Sequence, residues 1–250
     1  GYISVHENQG LAIASIIKNS FIPLLLKKDP RLIELHWKNM WKATHYAGRG
    51  APVSFAIAAV DVALWDLKGK RLDEPVHRLL GGPIRTEVKA YATGTYRLDE
   101  GYPLDYVVRE VEGYAAEGFH AVKIKIGFDV SSDAKLIKAC RAAVGPDINL
   151  MIDANHGFDS IEAIRLGNAV AEDDIRWFEE PVTPDDLGSY EEVRRSQPIP
   201  VAGGECDFTR WGFREILQRR AIDIIQPDTA AAGGLSECKK IADMAASFGI

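Results

Sequence analysis

Ala121-Val122-Lys123-Ile124-Lys125-Ile126 is a β-branched apolar run with two lysines set into it, and four more short runs downstream also carry a charge at their end. Asp153 closes Leu150-Met151-Ile152, and Glu179 follows Arg176-Trp177-Phe178. Glu205 follows Pro200-Val201-Ala202-Gly203-Gly204, and Asp228 ends Ile224-Ile225-Gln226-Pro227. From Lys125 the steps are 28, 26, 26 and 23 residues. A strand, a crossover helix and two loops occupy about that length, so the spacing predicts repeated β/α units with a charge at each strand's carboxyl end.

Working outward, strands are expected at 88–93, 120–126, 149–155, 175–179, 199–205 and 222–228. Helices are expected over 105–117 and 132–144 and from near Ser160, Leu187, Thr209 and Gly234. Six β/α units in succession imply a parallel sheet. A doubly wound sheet usually carries a Gly-rich phosphate loop after an early strand; none is present, so a TIM-like barrel is preferred. Eight strands close such a barrel, and a seventh would begin near Ile250. The barrel is therefore expected to be incomplete in this chain, with further polypeptide in the natural protein covering the open edges.

Residues 9–72 read as helical. Asp29-Pro30 is expected to open a helix bearing Ile33, Trp37, Met40 and Trp41, and Ser54 to cap a longer one with Ile57, Val60, Ala63, Leu64 and Leu67 on one face. Trp37, Trp41 and Trp65 are expected in the core, and Asp61, an acid on an apolar helix, is expected to be hydrogen-bonded there. Leu79-Leu80-Gly81-Gly82-Pro83 breaks the helical pattern, which divides the chain into residues 1–84 and 85–250.

A net charge of −6 with no long basic run argues against a nucleic-acid surface and favours a small-molecule partner. Three cysteines without CxxC spacing suit reduced thiols in a cytoplasmic protein. The longest apolar runs are interrupted by Pro23 or Asp61, so no membrane span is expected, and the first residues show no signal-peptide pattern.

In a barrel the acids would converge at one end. Asp153, Glu179 and Glu205 offer only oxygen, which suits Mg²⁺ or Mn²⁺. Acids that merely cap helices or pair with cations would explain one such residue, but not three at near-equal steps. Lys123 and Lys125 share one strand face, about 7 Å apart. Two adjacent ammonium groups beside a cation predict a lysine pushed from about 10.4 toward neutrality, as a general base requires. A divalent metal and a neutral lysine together suit removal of a proton beside a carboxylate, giving an enediolate.

Val122-Lys123-Ile124-Lys125, Ile152-Asp153-Ala154-Asn155, Phe178-Glu179-Glu180-Pro181, Gly204-Glu205 and Gln226-Pro227-Asp228, preceded by residues 63–70 and Leu79-Leu80-Gly81-Gly82, resemble the mandelate racemase branch of the enolase superfamily. The resemblance covers nearly the whole chain. It implies a (β/α)7β barrel with an N-terminal α+β capping domain, and Asp153, Glu179 and Glu205 as ligands of one Mg²⁺. It selects Glu179 over Glu180, a choice that spacing leaves open. It makes Lys125 the base and Lys123 its electrostatic modifier, puts Asn155 beside metal and substrate, and makes Asp228 the acid of a His-Asp dyad. The dyad's His is expected one unit after Asp228, beyond Ile250, and the specificity loop before Gly1. None of the six histidines of the chain, His6 included, holds the dyad position, and His156 is expected to make only a local hydrogen bond.

The resemblance implies a cytoplasmic, homo-oligomeric enzyme acting on a small carboxylate, most often dehydrating an acid sugar to a 2-keto-3-deoxy acid. A racemase or epimerase using the same residues is the alternative, and a metal-binding scaffold without chemistry is an alternative of another class.

Overall fold

The computed structural model describes residues 9–46, 48, 50–98 and 101–250. His6 and the first residues lie outside these. Contacts divide the chain into two compact units. One holds residues 1–86, 204–215 and 227–250, the other 87–203 and 216–226.

The second unit is built on a six-stranded sheet: β1 (Ala92–Thr93), β2 (Ala121–Lys125), β3 (Asn149–Asp153), β4 (Ile175–Glu179), β5 (Val201–Gly203) and β6 (Ile224–Ile225). Every pairing is parallel and the spatial order is the sequence order, β1 to β6. A doubly wound sheet reverses order at a switch point. Here there is no reversal, so each crossover steps one strand onward, as winding toward a barrel requires. The strands at the sheet edges are shorter than expected: β1 is two residues rather than six, and β6 stops at Ile225, three residues before Asp228. Apolar runs mark where a strand can lie, but pairing ends where the neighbouring backbone diverges.

The crossovers in this unit are α6 (Leu104–Ala116), α7 (Val130–Val144), α8 (Ser160–Ala169) and α9 (Leu187–Ser196). Local sequence starts them. Asp129 accepts from the Ser131 and Ser132 N–H groups, Asp159 and Glu162 form a reciprocal capping box, and Asp186 accepts from Ser189. Leu150, Met151 and Ile152 of β3 are all buried, as in a sheet covered on both faces. The loop after β2 is pinned by Asp133, whose Oδ2 accepts N–H groups of Gly127, Phe128 and Asp129 at 2.9, 2.9 and 3.2 Å.

The first unit contains α1 (Gly10–Ile16), a π-helical turn at Ile17–Phe21, α2 (Ile22–Leu25), α3 (Ile33–Ala43), α4 (Ala51–Leu72) and α5 (Val76–Leu79). It also contains the start of α10 (Thr209–Arg219) and all of α11 (Leu235–Phe248). Its core joins Phe21, Trp37, Met40, Phe55 and Ile57 to Ala231. Trp37 and Trp41 are buried as expected, whereas Trp65 is half-buried and donates to Ser236 Oγ at 2.8 Å.

Two caps expected from the sequence are corrected here. Asp29 does not start α3; it accepts from the Arg31 N–H and guanidinium, a local turn that competes with capping, and the helix begins at Ile33 behind an uncapped Leu32. Ser54 lies inside α4, which starts at Ala51 with a proline in its first turn, and the Ser54 hydroxyl donates to the Ala231 carbonyl. The apolar face of α4 also fades: Ile57 is buried, but Leu67 is 48% exposed.

Asp61 of α4 is fully buried and accepts from Ser236 N–H at 3.0 Å and Ser236 Oγ at 2.6 Å, satisfying the first turn of α11. Gly234 sits against it with φ +97°, where a Cβ would lie 2.4 Å from Asp61 Oδ2. Burial, opposed by these hydrogen bonds, pushes the carboxyl up to about 6 from 3.8. A folded-state value raised above the unfolded one gives stability that is full below about 3.8 and is lost as pH rises through about 6. The loss amounts to roughly 3 kcal/mol at about 1.4 kcal/mol per unit. Asp61→Asn is therefore expected to flatten this dependence. Urea midpoints of both proteins at pH 4, 5, 6 and 7 test it, and parallel curves would refute the assignment.

Candidate active site

The strand register brings the predicted charges of the second unit together. Lys125 is aligned with Asp153 across β2 and β3, and Asp153 with Glu179 across β3 and β4. All three stand at carboxyl ends, and Lys123 points to the same face as Lys125 because strand side chains alternate. Asp153 and Glu179 are each 1% exposed and Lys123 7%. Carboxylates so deeply buried need compensating cations.

The lysines supply the compensation. Lys123 Nζ donates to Glu179 Oε1 and lies 3.3 Å from Asp153 Oδ2. Lys125 Nζ lies 2.6 Å from the same Asp153 oxygen and 2.7 Å from Asn155 Oδ1. Asp153 Oδ1 accepts from the Asn155 N–H at 3.0 Å. Asn155 has φ +41°, a left-handed conformation that Asn tolerates better than most residues. Tyr91 lies 5.7 Å beneath Lys123 Nζ.

The two acids dominate the electrostatics of Lys123. Burial is the largest influence on Lys123 and acts downward, but the charges of Glu179 and Asp153 and the Glu179 hydrogen bond outweigh it. The group is pushed up, away from neutrality. Two acids in direct contact with an ammonium favour its charged form more than one neighbouring lysine disfavours it. For Asp153, burial again acts first and upward, and the Lys125 hydrogen bond with the charges of both lysines overcomes it, holding the carboxyl below its usual range.

Glu179 closes β4, and Glu180 follows it with φ +43°, so the two side chains part at the strand's end. Glu179 Oε2 accepts from Trp177 Nε1 at 3.0 Å and Gln226 Nε2 at 2.9 Å. Glu180 turns the other way, its Oε2 lying 3.2 Å from His156 Nε2, while His156 Nδ1 is 3.3 Å from the Val182 carbonyl. Trp177 and Gln226 carried no role in the sequence reading. The two-residue step from Trp177 to Glu179 signals a shared face; Gln226 reaches Glu179 only through the fold.

Glu205 and Asp228 belong to the other compact unit. Glu205 is exposed, two residues past the end of β5, after Gly204 at φ +119°. Asp228 is also exposed; its Oδ1 accepts from Ala230 N–H at 2.7 Å and its carbonyl from Ala231 and Ala232, which makes a tight turn before α11.

Residues 1–81 match the family model described as "Mandelate racemase / muconate lactonizing enzyme, N-terminal domain", and residues 106–250 match "Enolase C-terminal domain-like". The chain belongs to the mandelate racemase/muconate lactonizing enzyme family of the enolase superfamily. Its architecture is that of the family, an N-terminal cap followed by a C-terminal barrel domain; the β/α repeat predicted the barrel, and the resemblance implied the cap.

The chain is 46% identical over 226 residues to D-galactarolactone cycloisomerase of Agrobacterium fabrum, covering 90% of this chain and 60% of that protein. It is 38% identical to arabinonate dehydratase of Saccharolobus solfataricus, covering 100% of this chain and 68% of the relative. The crystal structure of 3,6-anhydro-D-galactonate cycloisomerase from Zobellia galactanivorans superposes with a TM-score of 0.92 at 41% identity, covering 100% of this chain and 68% of that one. A racemase from Streptomyces coelicolor with bound magnesium superposes with a TM-score of 0.94 at 35% identity, over 100% and 74% of the two chains. The chain thus spans about two thirds of the length of these relatives.

Proposed function

We propose that the protein abstracts the proton alpha to the carboxylate of an acid sugar, forming an enediolate that then expels an oxygen substituent from the neighbouring carbon. The observation that supports this is the aligned row Lys125–Asp153–Glu179, two buried acids and a lysine at adjacent strand ends. Lys125 Nζ is the proton acceptor. Lys123, held as an ammonium by Glu179 and Asp153, contributes a fixed positive charge. Asn155 orients the Lys125 amine through its Oδ1 and faces the substrate.

Asp153 and Glu179 fit a hard divalent cation, since they offer only oxygen and are compensated by lysines that a cation would relieve. With Glu205 they would hold one Mg²⁺, or Mn²⁺, which supplies charge neutralisation for the substrate carboxylate as it becomes doubly negative. In this reading Asp228 is the acid partner of a histidine, residues 1–84 are the cap and 85–250 the barrel domain, and the enzyme is a cytoplasmic homo-oligomer.

When the leaving oxygen is a free hydroxyl the product is a 2-keto-3-deoxy acid and one water. When it belongs to a ring the fragment stays tethered and the product is an isomer, a reading favoured by the cycloisomerases among the relatives. Aldonic, aldaric and anhydro-sugar acids incubated with full-length protein and Mg²⁺ in deuterated water test both by mass spectrometry. A product lighter by one water supports dehydration, and an isomeric product supports cycloisomerisation. Deuterium exchange with inversion alone moves the assignment to a racemase or epimerase. No exchange on any acid, or undiminished turnover after dialysis against a chelator, overturns the proposal.

A further inference from the structure

Lys125 is the last residue of β2, and its backbone is held on its two sides by different means. Toward β3 the ladder continues, with Ile126 N–H donating to the Asp153 carbonyl at 2.9 Å. Toward β1 it does not, because that pairing ends at Thr93 opposite Lys123. Side chains take over there. Thr95 Oγ1 accepts the Lys125 N–H at 3.0 Å, and the Tyr102 hydroxyl donates to the Lys125 carbonyl at 2.7 Å.

Thr95 is fully buried with φ +55°, a left-handed conformation in which a β-branched residue is a steric outlier. It is kept there by Glu110 of α6, whose Oε1 accepts the Thr95 N–H at 2.9 Å and the Tyr114 hydroxyl at 2.7 Å. The preceding Gly94 allows this approach, since a Cβ there would lie 2.2 Å from Tyr114 Oη and 2.5 Å from Glu110 Oε1.

We propose that Thr95 and Tyr102, with Glu110 as the anchor of Thr95, are positioning residues for Lys125, fixing the two peptide planes on either side of its Cα so that its amine meets the substrate proton in one geometry. The inference rests on Lys125 being the base. Satisfying a buried backbone pair would by itself need no strained residue, because an unstrained loop residue or a water could do it. Strain that is held in place by surrounding contacts and sits next to a reactive group is the pattern of a preorganised site.

Thr95→Val removes the hydroxyl and keeps the shape; Thr95→Ser keeps the hydroxyl. In full-length protein the valine variant is expected to lower kcat for α-proton exchange about ten- to a hundredfold, the effect of a small misplacement of a reacting group. KM and Mg²⁺ affinity should stay within about threefold, and serine should restore kcat, because a lost hydrogen bond and not a lost fold is at issue. A measurement without substrate decides the geometry: amide hydrogen exchange at Lys125 should quicken about two- to tenfold in the valine variant, with Lys123 unchanged. Should the valine variant not fold, Tyr102→Phe carries the same kcat expectation, with the quickened exchange read at the Ile126 amide, which shares a peptide with the Lys125 carbonyl; unchanged Ile126 exchange in that variant overturns the proposal. Unchanged Lys125 amide exchange, or equal loss in the serine and valine variants, overturns the proposal. If Lys125→Ala retains turnover the base assignment fails instead, while the amide exchange still decides the positioning.

Discussion

Lys125→Arg is expected to lower α-proton exchange by about 10²- to 10⁴-fold, the range for loss of a positioned general base. The substitution is chosen because arginine keeps a cation against Asp153 and Asn155, so the buried acid remains compensated. What it cannot do is give up its own proton and accept another, since a guanidinium is not deprotonated in proteins. The paired substitution Lys123→Arg keeps a charge at the position whose proposed contribution is charge, and is expected to lose less. Exchange followed by NMR in deuterated water, with circular dichroism to verify folding, measures both. A Lys125→Arg enzyme within tenfold of wild type would remove Lys125 from the role of base, and a larger loss for Lys123→Arg would reverse the two assignments.

The β2 stretch makes much of this readable in the sequence, because a strand fixes geometry at a period of two and β/α repeats fix which ends share a face. Lys123, Lys125 and Asp153 follow from those two regularities, which leave Glu179 and Glu180 as alternatives until the family resemblance selects Glu179, and the structure brings these four together. Thr95, Tyr102 and Gln226 do not follow from them. They reach Lys125 and Glu179 from loops and from a distant strand end, across 23 to 47 positions, and nothing local distinguishes them from other polar residues. The helix starts divide the same way. Asp129 and Asp159 cap the helices that follow them, whereas Asp29 is captured by Arg31 and Ser54 by a carbonyl 177 positions away.

Glu179→Gln is expected to cost about 3–5 kcal/mol of unfolding free energy, the range for breaking a buried ion pair from one side. Glu179 is 1% exposed and receives Lys123 Nζ, Trp177 Nε1 and Gln226 Nε2. A glutamine amide accepts through one oxygen only, so its NH₂ must face a donor, and of its two acids Lys123 keeps only Asp153, at 3.3 Å. Urea unfolding in a chelator, so that no added cation replaces the missing partner, measures the loss. A loss below about 1 kcal/mol would place the pair with exposed salt bridges and contradict its burial. The double variant Lys123→Met, Glu179→Leu removes the lysine's charge together with that of its closest acid and should be less destabilised than Glu179→Gln, because no cation is then stranded without its main partner and only Trp177 and Gln226 lose an acceptor. That ordering follows if the charged strand ends are a net cost to the fold, each tolerated because the other is present.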